Sequence, residues 1–273
     1  MKYTIIDTGY FYADGGAMFG PIPKTAWRRR YPSSKSNICV LATRTLLIET
    51  DDGRVLLIDN GAGTKQPDAL RHYCFFDCVD LEEELLKRGI RLEAVTDVIL
   101  THLHFDHCGY TTRRVEGSDK IIPTFPNATH WVSQKQWDNC LHPTPLEEDS
   151  YFTENIQPVA DAGLLRLIDE ETAIHPSVRL KLYDGHTPGQ IVPYIQMDEE
   201  TLVFVGDVIP IAASLSPKWI SAYDTHPLTS YYEKVRLLDE AVRERQTIIF
   251  CHDAYTPMCR VKKTGRFYTK CNG

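Results

Sequence analysis

The sequence predicts an α/β protein in which two sheets pack face to face with helices outside them. Three observations carry that expectation: β-rich runs recur in both halves of the chain, helical patterns lie between them, and polar residues cluster where the predicted strands end. The first half opens with strands over residues 3–6, 38–49 and 54–58, the last two joined through the turn signal Asp51-Asp52-Gly53. Residues 81–88 then show helical spacing and stop at Gly89, ahead of the apolar strand 95–100. Residues 131–170, with Trp131, Trp137 and several prolines, interrupt the strand rhythm and are expected to form a cap or lid. Strand patterns return at 178–183, 191–196 and 201–205, followed by a helix over 228–245 and a strand over 247–251. No repeat or low-complexity linker divides the chain, so a single domain over 1–273 is expected.

A chain of 273 residues can bury a sizeable core. Its 42% hydrophobic and 25% charged residues fit a globular protein and not a disordered or fibrous one. Thirty basic against 37 acidic residues give a net charge of -7, which disfavours a broad nucleic-acid surface. Arg28, Arg29 and Arg30 form the tight basic run; beside Trp27 and Tyr31 they could face an anionic substrate, but a solvated turn is the expectation. The eight cysteines are irregularly spaced, and the nearest pair, Cys74 and Cys78, lacks the second pair a four-cysteine zinc site needs, so reduced thiols are expected. Residues 1–7 lack a secretory leader and no run approaches the roughly 20 apolar residues that span a bilayer, which predicts a cytoplasmic protein with no membrane partner.

Directly after the apolar strand stands Thr101-His102-Leu103-His104-Phe105-Asp106-His107-Cys108-Gly109, three imidazoles and a carboxylate within six residues. In extended backbone His102 and His104 point to one side and can converge on one ion, while Leu103 turns into the core. A helix starting near Asp106 would swing Asp106 and His107 toward a second point. Imidazole and carboxylate ligands suit Zn, Fe, Mn or Co and are available near neutral pH. Further donors stand where predicted strands end: His186 in Asp184-Gly185-His186-Thr187-Pro188-Gly189, Asp207 after 201–205, and His252 after 247–251. His72, His130, His142, His175 and His226 lie outside these motifs and are assigned to surface or packing.

With these residues in order, and with Asp59 in Ile58-Asp59-Asn60-Gly61, the chain resembles the metallo-β-lactamase superfamily over nearly its whole length. The resemblance implies a four-layer αβ/βα sandwich with two divalent metal ions, most in keeping with Zn. It implies that His102, His104 and His186 hold the first ion, that Asp106, His107 and His252 hold the second, and that Asp207 bridges them. Asp59 matches an aspartate that supports the site from behind the ligands.

Two cations sharing a water lower its pKa from near 16 to roughly 7, so a metal-bridging hydroxide could attack at neutral pH. Asp106 could also carry the proton to the leaving group. Val205-Gly206-Asp207-Val208 lacks the cysteine common near this place in zinc β-lactamases. The short stretch 253–273 leaves no room for the glutathione-binding helices of glyoxalase II relatives, and flavodiiron relatives carry a glutamate where His104 stands. The motifs are most similar to the N-acyl-homoserine lactone lactonase branch, with a lactone or carboxylic ester as the small-molecule substrate. Two departures stand out: Pro210 replaces a tyrosine that binds the substrate carbonyl, with Tyr223 as a substitute or a packing residue, and Gln190 replaces a histidine. Residues 11–20, glycine-rich and aromatic, suit a mobile loop over an apolar pocket or a plain packing loop. The alternatives are a phosphoester or organophosphate hydrolase on the same site, and a structural metal-binding protein. A homodimer is left open.

Overall fold

Leu46, Leu47 and Ile48 face Leu56, Leu57 and Ile58 as two apolar runs with no exposed side chain, and their pairing lies within the first of two large sheets. The computed structural model describes residues 1–271 and divides the chain into two compact units, each built on its own sheet. The first unit comprises Met1–Gly9 and Thr43–Glu170. Its strands are β1 (Lys2–Asp14) as far as Gly9, β2 (Ile38–Glu49) from Thr43 onward, β3 (Val55–Ile58), β4 (Asp97–Ile99), β5 (Thr112–Arg114), β6 (Ile121–Pro123), β7 (Thr129–Ser133) and β8 (Leu165–Ile168). The main sheet runs β1-β2-β3-β4-β7-β8, and β5 pairs with β6 apart from it.

From β3 to β8 the neighbours are parallel, so each strand must be reached by a crossover. Parallel strands are covered on both faces, which is why 97–100 reads as a continuous apolar run after Asp97. The helix Leu81–Leu86 supplies one cover: Asp80 caps it by accepting the N–H groups of Glu82 and Glu83, and Leu81 and Leu85 are buried. Gly89, at φ 77, ends the turn that follows it. The stretch 131–170, expected as a cap or lid, begins in β7 and ends beyond β8, so both of its ends contribute to this sheet. The helices Gln134–Leu141 and Gln157–Asp161 lie between them.

The second unit comprises Tyr10–Ala42 and Glu171–Gly273. Its strands are β9 (Thr172–His175), β10 (Val178–Tyr183), β11 (Gln190–Gln196), β12 (Thr201–Phe204), β13 (Thr247–Ile249), β14 (Met258–Thr264) and β15 (Phe267–Cys271), ordered β15-β14-β13-β12-β11-β10-β9. The parallel pair β12 and β13 is connected through the helix Pro227–Arg243. That helix buries Ser230, Lys234, Leu237, Leu238 and Ala241, a spacing that places all five on one face.

Residues 11–20 form neither kind of loop expected of them. The strand β1 continues through Asp14, whose carboxylate caps a helix over Gly15–Phe19. Met18 and Phe19 are buried, and Phe19 stacks on Trp27 with ring centroids 4.6 Å apart. Among the described residues no cysteine forms a disulfide, and no helix is long and apolar enough to cross a membrane.

Candidate metal centre

In the first unit β4 stops at Ile99 and the chain stays extended through His104 (φ -64°, ψ 149°) before the single helical turn Phe105–Cys108. Extended backbone sends alternate side chains to opposite sides. His102 and His104 accordingly lie with ring centroids 4.5 Å apart, and Leu103 is buried in the core with its N–H bonded to Gln136 Oε1 at 3.0 Å. The helical turn returns His107 to within 4.0 Å of the His102 ring and sets Asp106 Oδ2 3.7 Å from His107 Nε2.

Asp59, at φ 55° and 1% exposed, fixes these rings from behind. Its Oδ1 accepts the Thr101 N–H at 2.7 Å, and its Oδ2 accepts the Thr101 hydroxyl at 2.8 Å. The same Oδ2 lies 2.8 Å from His107 Nδ1. A hydroxyl that donates to Asp59 can only accept from His102 Nδ1, 3.0 Å away. Both rings therefore carry a proton on Nδ1, and an ion would meet them through Nε2. Burial pushes the Asp59 carboxyl up, while the neighbouring His107 opposes that shift. His104 faces a different carboxylate: its Nε2 lies 3.5 Å from the buried Glu147 Oε1.

Backbone contact locks the Asp59 loop against the helical turn. Asn60 N–H donates to the His107 carbonyl at 2.8 Å, and Gly109 N–H donates to the Gly61 carbonyl at 2.8 Å. A Cβ at Gly109 would lie 1.9 Å from the Ala62 carbonyl oxygen, so the approach requires glycine.

In the second unit three strand ends carry the donors. After β10, the loop with His186 is held by Glu233, which accepts the N–H groups of Asp184 and Gly185. Gly185 lets that loop approach the helix, since a Cβ there would lie 2.5 Å from Ser230 Cα. After β12 a tight turn over Gly206–Val208 presents Asp207, and after β13 the chain leads through Cys251 to His252. Asp207 Oδ1 lies 3.0 Å from His252 Nε2, and its Oδ2 lies 3.6 Å from His186 Nε2. One carboxylate thus turns its two oxygens toward two different imidazoles, the arrangement expected of a ligand shared by two ions. His186 Nδ1 is engaged by Asp224 Oδ1 at 3.1 Å and His252 Nδ1 by the Ala42 carbonyl at 2.8 Å. Both rings again turn Nε2 toward Asp207.

The imidazole and carboxylate donors of each unit, with the Nδ1 atoms of His102, His107, His186 and His252 held, fit a divalent ion of the Zn, Fe, Mn or Co type. Cys251 Sγ adds a sulfur 3.2 Å from Asp207 Oδ1, and Asp207, Cys251 and His252 bring donor atoms within 4.8 Å of one another. Tyr223 packs edge-on against His186 with centroids 5.5 Å apart, and burial first, then the Asp207 charge, push its phenol well above the ordinary range.

Three of these residues escape a reading of the sequence. Asp224 and Glu147 are two acids among 37, and only the requirement that a metal-held imidazole be oriented by a carboxylate points to such partners. Cys251 is adjacent to His252, which was its available signal. Gln190 donates to the Val205 carbonyl at 3.2 Å, and Pro210 presents its carbonyl to the His252 N–H at 3.0 Å. Of the other histidines, His130 is buried with Nδ1 3.1 Å from the Ala128 carbonyl, His175 accepts the Ser177 N–H, and His72, His142 and His226 are exposed.

Residues 40–252 match the family model described as the metallo-beta-lactamase superfamily. The chain belongs to this superfamily. As a metallo-β-lactamase superfamily member it is a metal-dependent hydrolase of the expected α/β class. Among curated proteins it is similar to an N-acyl homoserine lactonase of Bacillus thuringiensis, 24% identical over 236 residues, covering 79% of this chain and 83% of the relative. A solved structure described as a probable metal-dependent hydrolase from Staphylococcus aureus matches with a TM-score of 0.89 and 26% identity, over 100% of this chain and 97% of that one. AidC, a dizinc quorum-quenching lactonase solved with the product N-hexnoyl-L-homoserine, shares the fold at a TM-score of 0.79 and 20% identity, covering 99% of this chain and 94% of its own.

Proposed function

We propose that this hydrolase uses two metal ions to open lactones or cleave carboxylic esters, with N-acyl-homoserine lactones as the first substrates to test. In this reading His102, His104 and His186 would hold one ion, Asp106, His107 and His252 would hold the other, and Asp207 would serve both. Zn is the leading ion, with Fe, Mn and Co suited to the same donors. The observation that carries the reading is Asp207, whose Oδ1 and Oδ2 face the Nε2 atoms of His252 and His186. The similarity to the Bacillus thuringiensis N-acyl homoserine lactonase and to AidC supports the substrate class.

When bound, the ions would supply an activated water near neutral pH and polarise the substrate carbonyl. Asp106, half-buried beside His107, is the residue placed to carry a proton to the leaving oxygen. Asp59, Asp224 and the Ala42 carbonyl keep the rings of His107, His186 and His252 aimed. In this reading Tyr223, whose ring rests on His186 and whose hydroxyl donates to Met18 Sδ at 3.5 Å, would exchange that contact for the substrate carbonyl and take the part of the tyrosine missing at Pro210. In this reading the substrate is a small molecule and the compartment the cytoplasm.

The test is a panel of acyl-homoserine lactones, aryl esters and phosphoesters given to metal-loaded protein, beside Asp207→Ala and His104→Ala variants. Lactone or ester turnover lost in both variants is expected. Turnover of phosphoesters alone would overturn the substrate class, and equal turnover by the variants would overturn the site.

A further inference from the structure

A cavity in the second unit stands apart from the metal donors in chemistry. It encloses about 610 Å³ and is lined by Arg29, Arg30, Lys270, Tyr31, Tyr255 and Asp253, with Ala212 and Leu215 in its floor. We propose that this cavity binds an organic anion, a sulfonate, carboxylate or phosphate group carried on an aromatic or apolar body.

Charge is the first argument. The protein carries a net charge of -7, yet this cavity gathers three cations. Among the described residues no carboxylate pairs with Arg29, Arg30 or Lys270. The acid in the lining, Asp253, is 2% exposed and already saturated: its Oδ1 accepts the N–H groups of Tyr255 and Thr256 at 2.9 and 2.7 Å, and its Oδ2 accepts the Ala212 N–H at 2.8 Å. Three backbone donors offset that carboxylate, so it opposes an incoming anion little.

Geometry is the second. Two of the cations are held in place without being neutralised. The Arg30 guanidinium lies 4.3 Å from the Trp219 ring centroid, and Lys270 Nζ donates to Thr256 Oγ1 at 3.1 Å. Tyr31 and Tyr255 pack edge to face at 5.3 Å, and Tyr255 remains 54% exposed, a large aromatic surface beside the cations. Cations fixed next to an open ring recognise a ligand with a charged end and a flat or apolar end. The floor residue Ala212 and the saturated Asp253 lie close in sequence to Asp207 and His252, so occupancy would bear on the loops that carry those donors.

The inference stands independently of the hydrolase reading, and its test measures binding alone. Calorimetric titration of the full chain compares benzenesulfonate, a weak metal ligand, with sulfate and with benzyl alcohol. Benzenesulfonate is expected to bind most tightly, with an affinity that falls as salt rises. In an Arg29→Gln/Lys270→Gln variant, which leaves the Arg30 stack on Trp219 intact, its affinity should fall at least tenfold while the melting temperature holds. Tyr255→Ala should weaken benzenesulfonate but not sulfate. Equal benzenesulfonate affinity in parent and Arg29→Gln/Lys270→Gln proteins, no binding to the parent, or benzyl alcohol binding as tightly as benzenesulfonate would each overturn the proposal.

Discussion

Replacing Asp59 by asparagine changes one atom of the buried cluster and should disarm two metal-facing imidazoles at once. In the native chain Oδ2 accepts from both the Thr101 hydroxyl and His107 Nδ1. An amide nitrogen in that place donates instead, while the remaining carbonyl can keep the Thr101 N–H. His107 Nδ1 must then accept, which moves its proton to Nε2. The Thr101 hydroxyl, now an acceptor from the amide, turns its own proton to His102 Nδ1, and the His102 proton also moves to Nε2. Restoring the ligand tautomers would leave two buried donors unpaired, at about 1–3 kcal/mol each. Metal binding should therefore weaken by roughly 2–6 kcal/mol, about thirtyfold or more. Competition with a fluorescent zinc indicator measures the affinity, and thermal unfolding of the metal-free protein checks that the isosteric variant folds. A folded Asp59→Asn protein with parental zinc affinity would refute the tautomer argument.

Gly109→Ala should destabilise the first unit by at least about 1–3 kcal/mol, because the new methyl meets backbone and not a movable side chain; an unchanged melting temperature would contradict the packing described. Burial holds the His130 imidazole down at about 4, against roughly 6.5 in an unfolded chain. Between those values the unfolded state binds the extra proton, so this contribution is complete above about pH 6.5 and declines toward pH 4, by roughly 3 kcal/mol in all. Urea unfolding across that range should show the slope in the parent and its loss in His130→Gln. Tyr223→Phe should lower kcat/KM for lactones by roughly tenfold or more with metal content unchanged; parental kinetics would make Tyr223 a packing residue.

How much of this was legible in the sequence follows from burial. The strands β2 and β10 fall at the predicted residues, because β2 carries the covered apolar run Leu46-Leu47-Ile48 and β10 buries Val178, Leu180 and Tyr183 while Arg179 stays exposed. The hairpin of β14 and β15 was not anticipated: Lys262, Lys263, Arg266 and Phe267 are exposed, and no apolar alternation marks it. The helix Gly15–Phe19 was obscured by two glycines at its start, although Asp14 before them is a sound cap. Within the site, residues 102–107 were conspicuous because their donors are contiguous. Asp224 and Glu147 were not, since their roles exist only once the chain has brought them beside His186 and His104.

The central claim, that this chain works through a pair of metal ions, is tested most directly by counting them. Elemental analysis of zinc-reconstituted, exhaustively dialysed protein, run beside lactone and ester turnover on the same sample, should return two ions per chain and activity that disappears on chelation and returns with zinc. A single retained ion per chain, or turnover that survives complete removal of metal, would contradict the account.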